Sequence, residues 1–215
     1  MQERKLMEMV EAAGTIAIAG HVRPDGDCVG SCLAVCNYIT EQYPEKTVDV
    51  YLETPPVKFS YLKQFERISS DSNTGKQYEL CICLDSGDRE RLGNNVVYLD
   101  TAKTSICIDH HITNKGYAAS NFVNASASAT CEFLYDFLDE EKISKEVAEC
   151  IYTGIIHDTN VFKNSNTTAK TMEVAGVMME KGINFSQIID GSFYKKTYVQ
   201  NQIMGRAVLE SVLFL

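Results

Sequence analysis

None of the eight cysteines in this 215-residue chain forms a Cys-x-x-Cys pair, so the sequence lacks the thiolate spacing on which structural zinc sites are built. It also lacks a basic excess. Twenty lysines and arginines face 29 aspartates and glutamates, and the formal net charge of −9 excludes a surface that grips long duplex DNA by displacing its counterions. No apolar run approaches a membrane span, and Met1-Gln2-Glu3-Arg4-Lys5 is charged where a secretory signal would turn apolar. There is no internal repeat and no low-complexity segment. These absences leave a cytoplasmic chain with room for one well-buried α/β domain, or for one domain and part of another. The cysteines suit that setting. Cys28, Cys32 and Cys36 recur as one helix face requires, Cys81 and Cys83 alternate along a strand-like run, and all read as buried free thiols in a reducing compartment.

Hydrophobic patterning predicts strands at 15–19, 48–52, 79–85 and 105–109, and a short edge strand at 121–124. Helices are expected at 3–13, 27–42 and 88–100, the last with a break near Gly93. Further helices are expected from Ser128 or Thr130 to about Glu141, from Ser144 through Ile156, and over 167–181, where Met172, Met178 and Met179 read as core. A helical turn at 184–190 precedes one long helix from Tyr194 to Leu215, still apolar at Val212-Leu213-Phe214-Leu215. Phe59, Leu62 and Phe65 are placed in the core, and Ser69–Lys76 in a loop. Strands alternating with helices imply right-handed crossovers. The expected fold is therefore α/β: a parallel sheet of about five strands with helices on both faces, then a long C-terminal helix.

In such a sheet ligands gather outside the carboxyl ends of the strands, and acidic motifs collect there. His21-Val22-Arg23-Pro24-Asp25-Gly26-Asp27 packs an imidazole and two carboxylates into seven residues after the first strand. Asp85 ends the run 79–85, Asp109-His110-His111 follows Ile106-Cys107-Ile108, and Asp158 closes Gly154-Ile155-Ile156-His157. Singly, each has an ordinary explanation as a turn former, a helix cap or a solvated loop. Jointly they form a ligand set of carboxylates and imidazoles without thiolates, which points to hard divalent cations, Mn²⁺ first and Mg²⁺ second. Arg23, Arg91 and Lys163 are candidate phosphate partners whose alternative is a surface ion pair. His157 reads as structural.

In order and spacing, His21-x-x-x-Asp25-x-Asp27, Asp85, Asp109-His110-His111 and Gly154-Ile155-x-x-Asp158-Thr159 resemble the four motifs of the DHH phosphoesterase superfamily. The strings RPDGDCVGS, IDHHITN and GIIHDTNVF look most like its branch of nanoRNA-degrading oligoribonucleases and 3′-phosphoadenosine 5′-phosphate phosphatases, and the likeness runs from about residue 10 to 190. The resemblance implies two metal ions. His21, Asp25 and Asp85 would bind one, and Asp27, Asp85, His110 and Asp158 the other, with Asp85 bridging. It implies catalytic roles for Asp109, orienting a ligand histidine, and for His111, contacting the scissile phosphate or helping the leaving group. It divides the chain into a catalytic metal-binding domain, 1–190, and a linker helix, 191–215, leading toward a C-terminal substrate-binding domain for which no glycine-rich loop appears here.

The function so implied is an Mn²⁺-dependent phosphoesterase acting on short RNA oligonucleotides or nucleotides, with no membrane partner and a homodimer allowed. Two alternatives stand beside it. One is a family II inorganic pyrophosphatase with the same metal motifs, and the other is a non-catalytic nucleotide-binding module.

Overall fold

The structure, a computed structural model, describes residues 2–211, with side chains described from Lys5 onward. Six parallel strands form one sheet in the order β3-β2-β1-β4-β5-β6: β1 (Thr15–Ala19), β2 (Thr47–Tyr51), β3 (Ile68–Ser69), β4 (Leu80–Leu84), β5 (Thr104–Asp109) and β6 (Ser120–Val123). Every residue of β4 is buried, as a central strand covered on both faces requires. The sheet has one strand more than the sequence reading allowed, because β3 has only two residues and cannot display an alternating pattern.

Eight α-helices are described: α1 (Gln2–Ala12), α2 (Gly26–Gln42), α3 (Val96–Thr101), α4 (Thr130–Leu134), α5 (Lys145–Asp158), α6 (Ala169–Glu180), α7 (Phe185–Ile188) and α8 (Tyr198–Glu210). The larger core lies on the face where α2, α4 and α5 meet Ile16, Ile18, Val50, Ile82 and Ile106. The opposite face is smaller. There Ala17, Ala19, Cys81, Cys83 and Cys107 pack with Leu92, Leu99 and a tyrosine cluster, in which Tyr51 and Tyr98 stack at 3.9 Å and the Tyr51 and Tyr78 hydroxyls lie 2.6 Å apart. All eight cysteines are buried and unpaired.

Close approach of α2 and α5 rests on two glycines. A Cβ on Gly30 would lie 2.6 Å from the Cys150 carbonyl oxygen, and one on Gly154 would overlap Cys131 Sγ. This tight crossing holds the two helix ends that carry Asp27 and Asp158.

Several expected boundaries shift for local reasons. The helix expected up to Glu141 stops at Leu134 and continues as 3₁₀ turns at Tyr135–Phe137 and Glu140–Lys142, because Leu138 turns into the core in an extended conformation. The last helix starts at Tyr198. Ile189–Tyr194 forms a π turn, Lys195 is extended, and Thr197 and Gln200 make a reciprocal capping box. Val212-Leu213-Phe214-Leu215 lie outside the described residues. On α6, Met178 is buried but Met172 and Met179 are 54% and 39% exposed, the core positions being shared with Thr171, Val174 and Ala175. No described helix is long and apolar enough to cross a membrane.

A candidate metal centre at the carboxyl rim of the sheet

Strand order reverses between β1 and β4, and the crevice at such a switch point is where α/β sheets bind ligands. Ala19 pairs with Cys83 and Leu84 with Ile108, so His21, Asp85 and Asp109 leave three neighbouring strand ends at one level.

Asp25 caps α2, its Oδ1 accepting the backbone N–H of Asp27 and Cys28, each at 3.1 Å. That cap turns the chain so that Asp27 enters the interior, 0% exposed. There Asp27 meets the start of α4: Oδ2 accepts the Thr130 N–H at 2.6 Å and Oδ1 the Cys131 N–H at 2.9 Å. Asp85 stands at φ 54°, just past β4, and its Oδ1 accepts the Thr130 hydroxyl at 2.9 Å. His21 Nδ1 faces its neighbour's carbonyl at 2.8 Å, which leaves Nε2 3.7 Å from Asp25 Oδ1 and 3.4 Å from Asp85 Oδ2. His110 Nε2 lies among three carboxylates, 3.2 Å from Asp158, 3.7 Å from Asp85 and 3.9 Å from Asp27.

His111 points differently. Its Nδ1 is 2.7 Å from Asp109 Oδ1, while Asn114 donates to Asp109 Oδ2 at 2.7 Å, so a buried carboxylate held by an amide fixes the ring. Asp109 therefore orients His111. The His110 ring has no bond to Asp109, whose Oδ1 accepts from this residue only the backbone N–H at 2.9 Å, and its Nδ1 faces the Ala127 carbonyl at 3.3 Å. All eight candidate residues thus join one connected cluster.

So much negative charge in a buried place strains the ionisation equilibria. Burial, then the charges of Asp85 and Asp158, push the Asp27 carboxyl well above the usual carboxylate range, and burial also raises Asp158. Burial alone would depress His110, but Asp158, Asp27 and Asp85 overcome it and lift its pKa to about 10. His21 is likewise raised, its burial outweighed by Asp25 and Asp85, and His111 is raised by Asp109. Asp109 is lowered, because His111 and Asn114 outweigh its burial. With protons alone to balance the charge, the cluster must hold several of them.

Among the described residues, three groups of donor atoms lie close enough together to hold a metal ion: Asp27, His110 and Asp158; Asp85, His110 and His111; and His21, Cys28 and Asp85. Carboxylate oxygens and imidazole nitrogens in equal share, with one thiol from Cys28, fit a divalent cation, and the raised carboxyl pKa values mark where positive charge is wanted.

Other sequence candidates fall outside the cluster. His157 turns away: its ring packs edge-on to Phe59 at 5.0 Å and near Phe193 at 5.3 Å, with Nε2 3.2 Å from the Ser192 hydroxyl. Burial, then Lys58, lowers its pKa to about 4, so it is a neutral packing residue. Among the described residues the side chains of Arg23, Arg91 and Lys163 have no carboxylate partner within 4.0 Å. Sequence reasoning missed Thr130 as the donor to both Asp27 and Asp85. A threonine at the start of a helix lies among free N–H groups, but nothing in the string tells what they bind. Cys28 was read only as core. Asn166, whose amide spans the Ser128 carbonyl at 3.1 Å and the Asp158 carbonyl at 3.4 Å, carried no signal.

A doubly wound α/β domain whose switch-point rim bears clustered aspartates and histidines is thereby defined. The chain belongs to the DHH family: the model of the DHH family, N-terminal domain, matches residues 15–155. It is 30% identical over 200 residues to the bifunctional oligoribonuclease and PAP phosphatase NrnA of Bacillus subtilis (strain 168), covering 91% of this chain and 62% of that protein. It is 31% identical over 189 residues to the probable bifunctional oligoribonuclease and PAP phosphatase NrnA of Streptococcus mutans, covering 86% and 58%. Its fold is similar to the crystal structure of an exopolyphosphatase-related protein from Bacteroides fragilis, with a TM-score of 0.90, 23% identity, and coverage of 99% and 66%. The chain spans about three fifths of the length of the curated relatives it matches.

Proposed function

We propose that residues 1–190 are the catalytic domain of a phosphoesterase that hydrolyses short oligoribonucleotides, and 3′-phosphoadenosine 5′-phosphate as a second substrate, with two divalent metal ions, most readily Mn²⁺. Residues 191–215 are then a linker. The observation that carries the reading is the meeting of His21, Asp25, Asp27, Asp85, His110 and Asp158 from four separate segments at one switch point. The relatives named as oligoribonucleases and PAP phosphatases support the substrate class. Eight buried free thiols suit a cytoplasmic setting.

His21, Asp25 and Asp85 would hold one ion, and Asp27, Asp85, His110 and Asp158 the other. Bound metal supplies Lewis acidity, which makes water a nucleophile at neutral pH and neutralises the phosphoryl oxygens. The chain's own groups do the rest. Thr130 and Cys131 fix both Asp27 oxygens, so that carboxylate is set before any ligand arrives. Asp109 holds Nδ1 of His111 and raises its pKa, which favours the protonated imidazole. A protonated His111 can then donate to a phosphate oxygen or to the departing ribose oxygen. No nucleophilic side chain is required.

Incubation of the protein with an RNA dinucleotide and Mn²⁺ should release nucleoside monophosphates, and chelator should abolish that release. Phosphate released from pyrophosphate, with the dinucleotide left intact, would replace this reading with a pyrophosphatase. Binding without turnover under all metals would leave only a nucleotide-binding module.

A further inference from the structure

Beside the rim lies a cavity of about 790 Å³, a size typical of small-molecule sites, that the proposed chemistry does not use. It opens between the Pro56–Tyr61 segment, α7 and the start of α8. Its floor is largely apolar, with Pro56 and Tyr61, the latter 40% exposed. Three lysines stand around it: Lys58, Lys195 and Lys196.

The charge pattern is uneven. Six other lysines of this acidic chain pair with carboxylates; these three, like Lys5, Lys46, Lys115, Lys163 and Lys181, have none within 4.0 Å among the described residues, and they differ in lining one cavity together. Lys58 rests over the Phe59 ring at 4.9 Å, and Lys196 Nζ is 3.4 Å from the Met204 sulfur. The lining includes one carboxylate, Glu149, which is already engaged by Lys145 at 3.9 Å. Lys58 joins the cavity to the metal rim, being near enough to Asp25 for the two charges to act on each other. Unpaired cations above an apolar floor, one step from a phosphate-reacting centre, suit a phosphate carried on a nucleoside: lysines take the phosphate, and aromatic and apolar surface takes base and sugar.

We propose that this cavity is a subsite for a second, non-scissile phosphate and its nucleoside, held by Lys58, Lys195 and Lys196. This rests on the reading of the rim as a phosphoesterase centre and deepens it. Ligands with two separated phosphates are favoured over those with one.

The test compares equilibrium binding of an RNA dinucleotide bearing a 5′-phosphate with that of the same dinucleotide lacking it, by calorimetry, in Ca²⁺ and again in chelator. The wild-type protein should prefer the phosphorylated form by about tenfold, the scale of a hydrogen bond to a charged group. Lys58→Ala and the double variant Lys195→Ala/Lys196→Ala should each bring the ratio of affinities close to one, and Lys58→Arg should preserve it. A wild-type ratio of one, or a ratio unchanged in both alanine variants, overturns the subsite. Phosphate preference without turnover of either dinucleotide by the wild type in Mn²⁺ would sink the catalytic reading and leave the subsite standing. Turnover with no preference would do the reverse.

Discussion

Asp85 holds the cluster together and sits in a conformation that a non-glycine residue adopts only when its surroundings insist. Its φ of 54° is tolerable for aspartate, and the residue is kept there by the Thr130 hydroxyl and by two histidines on opposite sides. Because it lies between the two proposed ion positions, Asp85→Ala should empty both. The loss of affinity should exceed the roughly 100-fold that removal of an outer partner costs, and metal analysis of the purified variant that still finds two ions per chain would refute the assignment. The pair Asp109 and His111 allows a sharper check. Asp109 raises the His111 pKa, so a rate that needs protonated His111 must fall as pH rises through that pKa. In Asp109→Asn the imidazole returns toward its ordinary 6.5, and the alkaline limb of the pH–rate profile should move to lower pH, with kcat about 10- to 100-fold lower. An unmoved alkaline limb would show that His111 does not act as the acid.

Among elements, the α2–α5 crossing and the start of α4 do most to place the site. A Cβ on Gly154 would overlap Cys131 Sγ and come within 2.5 Å of Asp27 Oδ1, so Gly154→Ala presses on the helix start that donates to Asp27. Overpacking of this kind should cost about 1–3 kcal/mol, seen as a lower denaturation midpoint, and metal affinity should fall with it. Full affinity at reduced stability would mean that Asp27 is not held through this contact. The same elements show what a sequence discloses. His21, Asp25, Asp27, Asp85, Asp109, His110, His111 and Asp158 were legible because each ends a strand or bounds a helix, and parallel topology carries those ends to one rim. Which atoms they touch was not legible. Thr130, Cys28 and Asn166 enter through tertiary packing, as does the turn after Asp158, where Asn160, Val161 and Phe162 all take positive φ around a Thr159 hydroxyl that accepts the Phe162 N–H at 3.0 Å. The break at Gly93 was readable because glycine punctuates a helical pattern, while β3 was too short to be read.

For the molecule as a whole, the buried charge makes stability depend on pH in a way that bound metal should reverse. Without metal, the folded state keeps a proton on His110 up to about pH 10, whereas an unfolded imidazole releases it near 6.5. The folded chain then binds more protons than the unfolded one across that window, so stability is fully present below 6.5 and is lost as pH rises. The raised Asp27 and Asp158 act in the same sense. His157 works oppositely: with its pKa lowered to about 4, the folded chain resists a proton that the unfolded chain accepts below 6.5, and stability is lost as pH falls from 6.5 toward 4. Between about pH 4 and 6.5 these effects oppose one another, and above 6.5 the stability of metal-free protein should fall as pH rises. Divalent ions take the place of the protons, and their stabilisation should grow with pH as fewer protons must be displaced. At a hundredfold excess over Kd the gain is about 2.7 kcal/mol, or roughly 5–11 °C in Tm for a domain of this size. Thermal melts in Mg²⁺ and in chelator, at about pH 6.5 and about pH 8.5, measure both effects. The Tm in chelator should fall between the two pH values while that in Mg²⁺ holds, so the gap widens. A gap of equal size at both pH values would mean that the ions bind somewhere other than this proton-holding cluster.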